Sequence, residues 1–321
     1  MGKPPVTPVG GSLAEVLAAG GVIVLDGGLA TELERRGNDL SDRLWSARLL
    51  LEAPGEIVEA HLAYYRAGAR VATTASYQAS FEGFAERGID HAVAAGLMRR
   101  SVELAAEARR RYRVECAEVG RDPGPLFVAA SVGPYGAVLA DGSEYTGAYG
   151  LDGAALRDWH RERLAVLAAA GPDVLAIETI PSLDEGRALV ALLAEGDGPP
   201  AWLSFSCADG SRTRQGEPVE AAFALADATE RVVAVGVNCT APEHVAELVA
   251  RARAVTSKPI VAYPNSGERW DPGARRWVDD PGRRADVAAA RGWVGAGATL
   301  VGGCCRVGPD RIAELAAAGL G

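Results

Sequence analysis

Three cysteines follow two apolar runs of the chain and could bind one metal ion together. The first run, residues 232–237, leads to Cys239, and the second, residues 298–303, leads to Cys304 and Cys305. If both runs are strands of one parallel sheet, all three sulfurs emerge at the same rim. Three thiolates leave one position of a tetrahedral Zn²⁺ open. The pattern therefore predicts a reactive zinc centre, and the alternatives are a disulfide between the adjacent cysteines or three buried thiols.

The charge of such a centre indicates its chemistry. Zn²⁺ with three thiolates carries a formal charge of −1, so it polarises a carbonyl group poorly. It can instead hold a substrate thiol in its deprotonated, nucleophilic form near neutral pH. The predicted reaction is attack by a substrate sulfur on carbon.

Two carboxylates are placed where predicted strands end on the same face. Asp26 precedes Gly27 and Gly28, and Glu178 ends the fourth predicted strand. Paired carboxylates suit an α-amino group, and amides at a helix start suit a carboxylate. Together these residues predict a pocket for an amino acid whose side-chain thiol reaches the metal. The alternative for Asp26 is a cap of the following helix, and Glu178 could equally serve its own loop.

Strand-like apolar runs alternate with amphipathic segments along the chain. Eight units in about 300 residues favour a single-domain (β/α)₈ barrel over an open doubly wound sheet, which would need a glycine-rich dinucleotide turn. The predicted strands are residues 22–28, 70–77, 126–134, 174–181, 201–207, 233–239, 259–265 and 299–305.

Composition limits the function classes. The chain has 321 residues, 33 basic and 42 acidic, with a net charge of −9, which argues against nucleic acid or an anionic membrane as partner. The sequence predicts a cytoplasmic protein, a monomer or weak oligomer, with a flexible leader over residues 1–10 and one barrel domain over residues 11–321. Cys116 and Cys207 are interpreted as buried apolar residues. The four histidines fall in predicted helices and are interpreted as packing or surface residues.

Two long connections, residues 136–153 and 266–283, follow predicted strands and should lie over the mouth of the barrel. Aromatic and acidic side chains near this mouth could hold a cationic co-substrate. The donor-side candidates are Tyr77, Trp270 and Glu268, and Ser76, Tyr77 and Asn238 are the further substrate-binding candidates.

Six segments, in order, resemble the homocysteine S-methyltransferases: LDGGLATELERRG, TTASYQAS, ETIPS, GVNC, YPNSGE and GGCCR. The resemblance implies a (β/α)₈ barrel, catalytic zinc on Cys239, Cys304 and Cys305, and L-homocysteine as acceptor. It also implies that Asp26, Glu178 and the Gly27-Gly28 backbone hold the amino acid.

The first and fifth segments are most similar to the branch that uses S-methyl-L-methionine. This resemblance implies that S-methyl-L-methionine, or less efficiently S-adenosyl-L-methionine, is the donor and L-methionine the product. The alternatives are a betaine-dependent enzyme, a non-catalytic zinc-binding barrel, and a metal-free aldolase-like barrel. The last usually needs a lysine at the end of a strand, whereas Lys258 begins one.

Overall fold

Eight parallel strands form one sheet in this computed structural model, which describes residues 11–41, 45–139, 141–271, 276–278 and 285–320. In chain order the strands of the main sheet are β1 (Ile23–Val24), β2 (Val71–Thr73), β3 (Phe127–Val132), β4 (Val174–Ile180), β5 (Ala201–Phe205), β6 (Val232–Asn238), β7 (Ile260–Tyr263) and β10 (Ala298–Val301). Their order around the sheet is β1-β10-β7-β6-β5-β4-β3-β2. All eight predicted strands are present.

The two edge strands of this sheet, β1 and β2, meet and nearly close it into a barrel. The Arg70 amide donates to the Val24 carbonyl over 2.7 Å. Above it, the Thr73 amide donates to the Asp26 carboxylate over 2.6 Å. The predicted single-domain (β/α)₈ barrel is therefore confirmed, and Asp26 belongs to its seam.

Helices surround the barrel: the first one closes the amino end of the strands, and others cover the outer face. They are α1 (Leu13–Ala18), α2 (Leu29–Arg35), α3 (Trp45–Glu52), α4 (Pro54–Arg66), α5 (Phe81–Ala85), α6 (His91–Glu118), α7 (Tyr135–Leu139), α8 (Gly153–Ala169), α9 (Leu183–Ala194), α10 (Val219–Ala224), α11 (Pro242–Val255), α12 (Val287–Ala296) and α13 (Pro309–Ala317), with 3₁₀ turns at Ser143–Tyr145 and Leu225–Ala228. Pro54 and Pro242 begin their helices, where the missing amide costs nothing. None of the helices in the described part of the chain has the length and apolar character needed to span a bilayer.

Two apolar layers hold the barrel together. One lies between the strands and the surrounding helices. The other fills the barrel interior, where side chains such as Phe127, Trp202 and Leu300 pack with Leu13 and Leu17 of α1. Because α1 precedes β1, these two leucines lie toward the amino end of the strands. The carboxyl end remains for polar residues.

Both long connections contain structure of their own. Residues 136–153 include most of α7 and the 3₁₀ turn Ser143–Tyr145. Residues 266–283 include a small antiparallel hairpin of β8 (Arg269–Asp271) and β9 (Arg276–Val278), in which Trp270 pairs with Trp277. The Trp270 side chain and the predicted leader, residues 1–10, lie outside the described residues.

Candidate functional site

Three sulfurs converge at the carboxyl end of the barrel. Cys239 follows β6, and Cys304 and Cys305 follow β10; their sulfurs all lie within 4.8 Å of one another. Cys305 Sγ is 3.8 Å from Cys239 Sγ and 4.0 Å from Cys304 Sγ. Cys239 and Cys304 are paired as a disulfide. This pairing differs from the disulfide between adjacent cysteines that the sequence left open, and the cluster is one that could bind a metal.

The backbone turns sharply at Cys239, and again directly after Cys305. Cys239 has a left-handed backbone with φ 47° and Arg306, directly after Cys305, has φ 67°. Non-glycine residues adopt this region at an energetic cost, and they do so mainly where function requires it. Gly302 permits the approach of β1, because a Cβ there would lie 2.7 Å from the Leu25 side chain. The chain therefore leaves both strands abruptly and brings the sulfurs together.

Cys305 is exposed at the rim, but the surrounding protein still affects its thiol. Desolvation raises the thiol pKa, and the negative charges of Glu178 and Glu144 raise it further. Tyr145, on the connection after β3, hydrogen-bonds the Cys305 side chain. In the absence of a cation, this environment favours the neutral thiol.

Asp26 is buried at the barrel seam. Its carboxylate accepts hydrogen bonds from the Thr73 amide at 2.6 Å and the Thr73 hydroxyl at 2.8 Å. Burial raises the pKa of Asp26 to about 7 despite these bonds, and the charge of Glu178 contributes to the increase. The N-cap of α2 is Gly28, which makes no side-chain cap hydrogen bond. The helix-cap alternative for Asp26 is therefore wrong.

Glu178 lies near the carboxyl end of β4, inside the barrel, and belongs to a hydrogen-bond network on the cavity floor. Ser131 donates to one carboxylate oxygen, and Tyr263 donates to the other over 3.0 Å. Tyr263 in turn contacts Ser204 at 2.8 Å and accepts from the Trp202 indole at 3.0 Å. Burial raises the Glu178 pKa, opposed by the bonds from Ser131 and Tyr263. The carboxylate is thus fixed in place while its negative charge remains incompletely compensated.

The Gly27-Gly28 turn lies against the loop after β10. A Cβ at Gly28 would come within 2.7 Å of the Cys304 carbonyl oxygen, so glycine is required by space. The Gly28 amide donates to the Val307 carbonyl over 2.9 Å. This amide is therefore already engaged, while Gly27 and the first residue of α2, Leu29, line the cavity.

Asn238 and Ser76 support the site from behind. The Asn238 side chain accepts from the Thr179 amide and donates to the Thr179 hydroxyl, both at 2.7 Å. Because Thr179 follows Glu178 and Asn238 precedes Cys239, these bonds connect the Glu178 strand to the cysteine cluster. The Ser76 hydroxyl is buried and donates to the Ser131 carbonyl. Neither Asn238 nor Ser76 lines the cavity that contains the cysteine cluster, so both act as supports behind it.

Tyr77 and Glu268 have different positions at the mouth. Tyr77 lines the cavity, and its hydroxyl hydrogen-bonds the Thr179 side chain. Glu268 forms an ion pair with Arg306 at 2.7 Å, which lowers the Glu268 pKa. Glu268 is therefore neutralised by an arginine and is absent from the cavity lining.

Several residues at the site were not predicted from the sequence. Ser131 is a polar residue in an otherwise apolar strand, which was an available signal. Tyr263 ends β7 and was expected among the polar residues at the strand ends, but no binding role for it followed from the sequence. Glu144 and Tyr145 lie in an irregular connection, where neither spacing nor periodicity predicts a position. All four line one cavity of about 330 Å³ with the three cysteines and both buried carboxylates.

The fold and this cavity are those of a (β/α)₈-barrel enzyme. Its site combines a cysteine cluster with two buried carboxylates at the carboxyl end of the strands. The homocysteine S-methyltransferase family model matches residues 23–319. The chain belongs to the homocysteine S-methyltransferase family and is an enzyme of that family that acts on small molecules.

Individual relatives agree along nearly the whole chain. Homocysteine S-methyltransferase YbgG of Bacillus subtilis is 48% identical over 297 residues, covering 92% of this chain and 94% of the relative. Selenocysteine Se-methyltransferase of Brassica oleracea is 47% identical over 314 residues, covering 95% and 91%. The metallated form of the homocysteine methyltransferase MmuM from Escherichia coli superposes with a TM-score of 0.85 at 44% identity, covering 94% of this chain and 98% of that one.

Proposed function

We propose that this enzyme transfers a methyl group from a sulfonium donor, S-methyl-L-methionine and less efficiently S-adenosyl-L-methionine, to L-homocysteine in a zinc-dependent reaction that yields L-methionine. The observation that carries this proposal is the convergence of three sulfurs and two buried carboxylates in one cavity. A thiol and an ammonium group on one small molecule would satisfy both parts at once.

The cysteine cluster fits zinc. A tetrahedral ion with Zn–S bonds of about 2.3 Å separates its sulfurs by about 3.8 Å. The distances from Cys305 Sγ, 3.8 and 4.0 Å, match this value. Cys239 and Cys304 must be reduced and move apart to ligate, which requires a reducing compartment and agrees with a cytoplasmic location. When bound, zinc holds a substrate thiol as a nucleophilic thiolate.

The residues around Asp26 and Glu178 would bind the amino-acid end of homocysteine. The two carboxylates hold the ammonium group. Burial removes these carboxylates from water, and the positive charge of the ammonium compensates their negative charge. The Gly27 amide and the first-turn amide of Leu29 hold the carboxylate. The Gly28 amide is engaged by Val307, so Gly28 acts by permitting the close approach of the loop.

The cavity would position the two reacting sulfurs for methyl transfer. The acceptor sulfur attacks the methyl carbon in line with the leaving sulfide, which departs with the electron pair of the broken S–C bond. Opposite charges cancel along this path, so exclusion of water lowers the barrier relative to solution. Tyr77, Tyr145 and the Gly27 turn surround the space in which the two sulfurs must approach.

The choice of donor follows from charge. A sulfonium carries its positive charge next to the transferred methyl, and the cavity is lined by carboxylates. Betaine has a bulkier and poorer leaving group, and methyltetrahydrofolate is a large anion. We therefore expect S-methyl-L-methionine to give the highest kcat/KM, S-adenosyl-L-methionine a lower value, and the other two no turnover.

The test measures L-methionine formed from homocysteine with each of the four donors in parallel, using zinc-loaded, reduced enzyme. Turnover of betaine with none of S-methyl-L-methionine would contradict the branch assignment. Tight zinc binding without turnover of any donor would instead support a non-catalytic zinc-binding barrel.

The aldolase-like alternative needs a lysine at the carboxyl end of a strand. Lys258 lies at the amino end of β7 and donates to the Thr229 and Val232 carbonyls.

The selenocysteine enzyme of Brassica suggests a second acceptor, because it is 47% identical to this chain. A selenolate is a soft ligand like a thiolate and suits the same metal. The same assay with L-selenocysteine in place of L-homocysteine distinguishes the two acceptors by their kcat/KM ratio. Because the net charge is −9, we expect no nucleic-acid partner, and we also expect a monomer or weak oligomer.

A further inference from the structure

One carboxylate in the cavity has a buried oxygen without a hydrogen-bond partner. Glu144 lies in the 3₁₀ turn Ser143–Tyr145, on the connection between β3 and α8, and lines the same cavity as the cysteine cluster. Its Oε2 atom is buried and has no hydrogen-bond partner among the described residues. Burial raises the pKa of the Glu144 carboxyl. Because a buried anionic oxygen without a partner is costly, the position is one that a bound cation would stabilise.

The other carboxylates at the mouth are already engaged or exposed. Asp26 accepts from Thr73, and Glu178 accepts from Ser131 and Tyr263. The remaining two, Glu268 and Glu34, are paired with Arg306 and exposed to solvent, respectively. Glu144 therefore differs from every other carboxylate of the described cavity mouth.

The connection that carries Glu144 is fixed on the barrel. The Arg214 guanidinium lies 5.3 Å from the centre of the Tyr145 ring, and Gln215 donates to the Gly147 carbonyl over 3.2 Å. At Gly136, a Cβ would lie 2.5 Å from the Glu144 amide nitrogen, so the turn rests directly on α7. The Glu144 backbone is thus held in place, and its carboxylate is presented from a rigid element.

We propose that Glu144 binds the positive charge of the methyl donor and thereby determines donor specificity. The inference rests on the proposed function, in which the acceptor's ammonium and the donor's sulfonium meet in one cavity. Glu178 and Glu144 both line the cavity that contains the cysteine cluster, so each can contact a molecule bound beside it. Glu178 serves the acceptor, and Glu144 serves the donor.

Two aromatic rings complete this subsite. Tyr145 follows Glu144 directly, and both Tyr145 and Tyr77 line the cavity together with Glu144. Faces of aromatic rings attract sulfonium and ammonium groups. A cationic donor between Tyr77 and Tyr145 would therefore contact π-faces and one carboxylate, whereas a neutral or anionic donor would gain nothing from Glu144.

The test compares Glu144→Gln and Glu144→Asp with the wild type. Removing the charge should raise KM for S-methyl-L-methionine by about 10- to 100-fold, the range expected for one charge-assisted contact. Homocysteine affinity and zinc content should stay unchanged, and Glu144→Asp should recover part of the loss. Glu118→Gln, an exposed change at the far end of α6, is the matched control.

A second measurement makes the result independent of turnover. S-methyl-L-methionine is titrated calorimetrically into the zinc-loaded protein without homocysteine, using wild type and Glu144→Gln. Weaker binding in the variant supports the proposal even if the wild type turns over no donor, an outcome that would refute only the proposed function. Equal binding by both proteins, or an equal loss of homocysteine affinity in Glu144→Gln, overturns it.

Discussion

Thr179, Cys239 and Arg306 are the non-glycine residues of the described chain with a left-handed backbone, at φ 62°, 47° and 67°. Each is a site residue or adjoins one, since Thr179 follows Glu178 and Arg306 follows Cys305. Such conformations cost roughly 1–3 kcal/mol each and persist where the surrounding structure enforces them. Asn238 enforces one of them by bonding both the amide and the hydroxyl of Thr179.

The proposed zinc site predicts that replacing any one of its three cysteines has the same effect on zinc content. Under reducing conditions the protein should hold close to one zinc per chain. Cys239→Ala, Cys304→Ala and Cys305→Ala should each lose most of it and remain folded, because the apolar layers of the barrel do not include the ion. Elemental analysis of gel-filtered protein, with circular dichroism for folding, measures both properties.

Cys207 is the matched control for these variants. Cys207 lies outside the cluster and is only 1% exposed, and burial raises its thiol pKa to about 12. Cys207→Ala should therefore keep the full zinc content. Full retention in all three cluster variants would exclude the proposed centre.

Asp26 predicts a pH dependence of ligand binding. Its pKa of about 7 means that the free enzyme carries this carboxyl partly protonated at neutral pH. An ammonium group stabilises the charged form, so binding should lower the pKa, release protons and strengthen as pH rises from 6 to 8. L-methionine is the suitable probe because it has the same amino-acid end and no ionisable thiol. Calorimetry in two buffers of different ionisation enthalpy counts the protons.

Asp26 affects folding stability in the opposite direction: its contribution to the free energy of unfolding falls as pH rises. The unfolded chain ionises Asp26 near its ordinary pKa of 3.8 and the folded chain only near 7. This group therefore opposes folding increasingly as pH rises between those values. Asp26→Asn should abolish both the proton release and this slope; proton release as large as that of the wild type would remove Asp26 from the binding site.

At the scale of elements, α8 fixes the loop after β2. Arg163 on α8 is 1% exposed and donates to three carbonyls: Gly133 at 2.7 Å, Ser76 at 3.1 Å and Tyr77 at 2.6 Å. Burial lowers the Arg163 pKa to about 10, so the guanidinium stays charged at neutral pH. A helix on the outer face thereby determines where Tyr77 lies in the cavity.

Replacing this arginine should affect stability and donor use together. Arg163→Met leaves three buried carbonyls without donors and should reduce the free energy of unfolding by about 3 kcal/mol or more. Arg163→Lys should recover part of it. The displaced Tyr77 should raise KM for the donor more than KM for homocysteine. Denaturant unfolding and steady-state kinetics provide the two measurements.

Arg161, on the same helix, is the control. It pairs with Glu195 at the surface and is about half exposed, so Arg161→Met should change stability by less than about 1 kcal/mol. If Arg163→Met behaved like Arg161→Met in stability and in both KM values, α8 would have no positioning role.

The molecule as a whole depends on one seam. Between β1 and β2 the ladder is reduced to the bond from Arg70 to Val24 and the contact of Thr73 with Asp26. A residue proposed to bind substrate thus also joins the two ends of the sheet. Function and closure of the barrel are coupled at Asp26, so its variants should be compared by stability as well as by affinity.

The sequence alone determined the architecture and the chemical character of the site. Eight apolar runs alternating with amphipathic segments have few solutions other than a barrel, and parallel strands place Cys239, Cys304 and Cys305 at one rim whatever the details. The family resemblance rested on the same residues. Strand ends were predicted too long, as in residues 70–77 against Val71–Thr73, because polar residues leave the ladder to form the site.

Only the tertiary structure decided which polar residues face the cavity and which support it. Glu268 and Glu144 are both acidic residues of long connections, and sequence spacing does not distinguish them. In three dimensions Arg306 lies beside Glu268, whereas Glu144 has a buried oxygen without a partner. The physical reason is that charge compensation depends on neighbours distant in sequence, while periodicity reports only which face of an element is apolar.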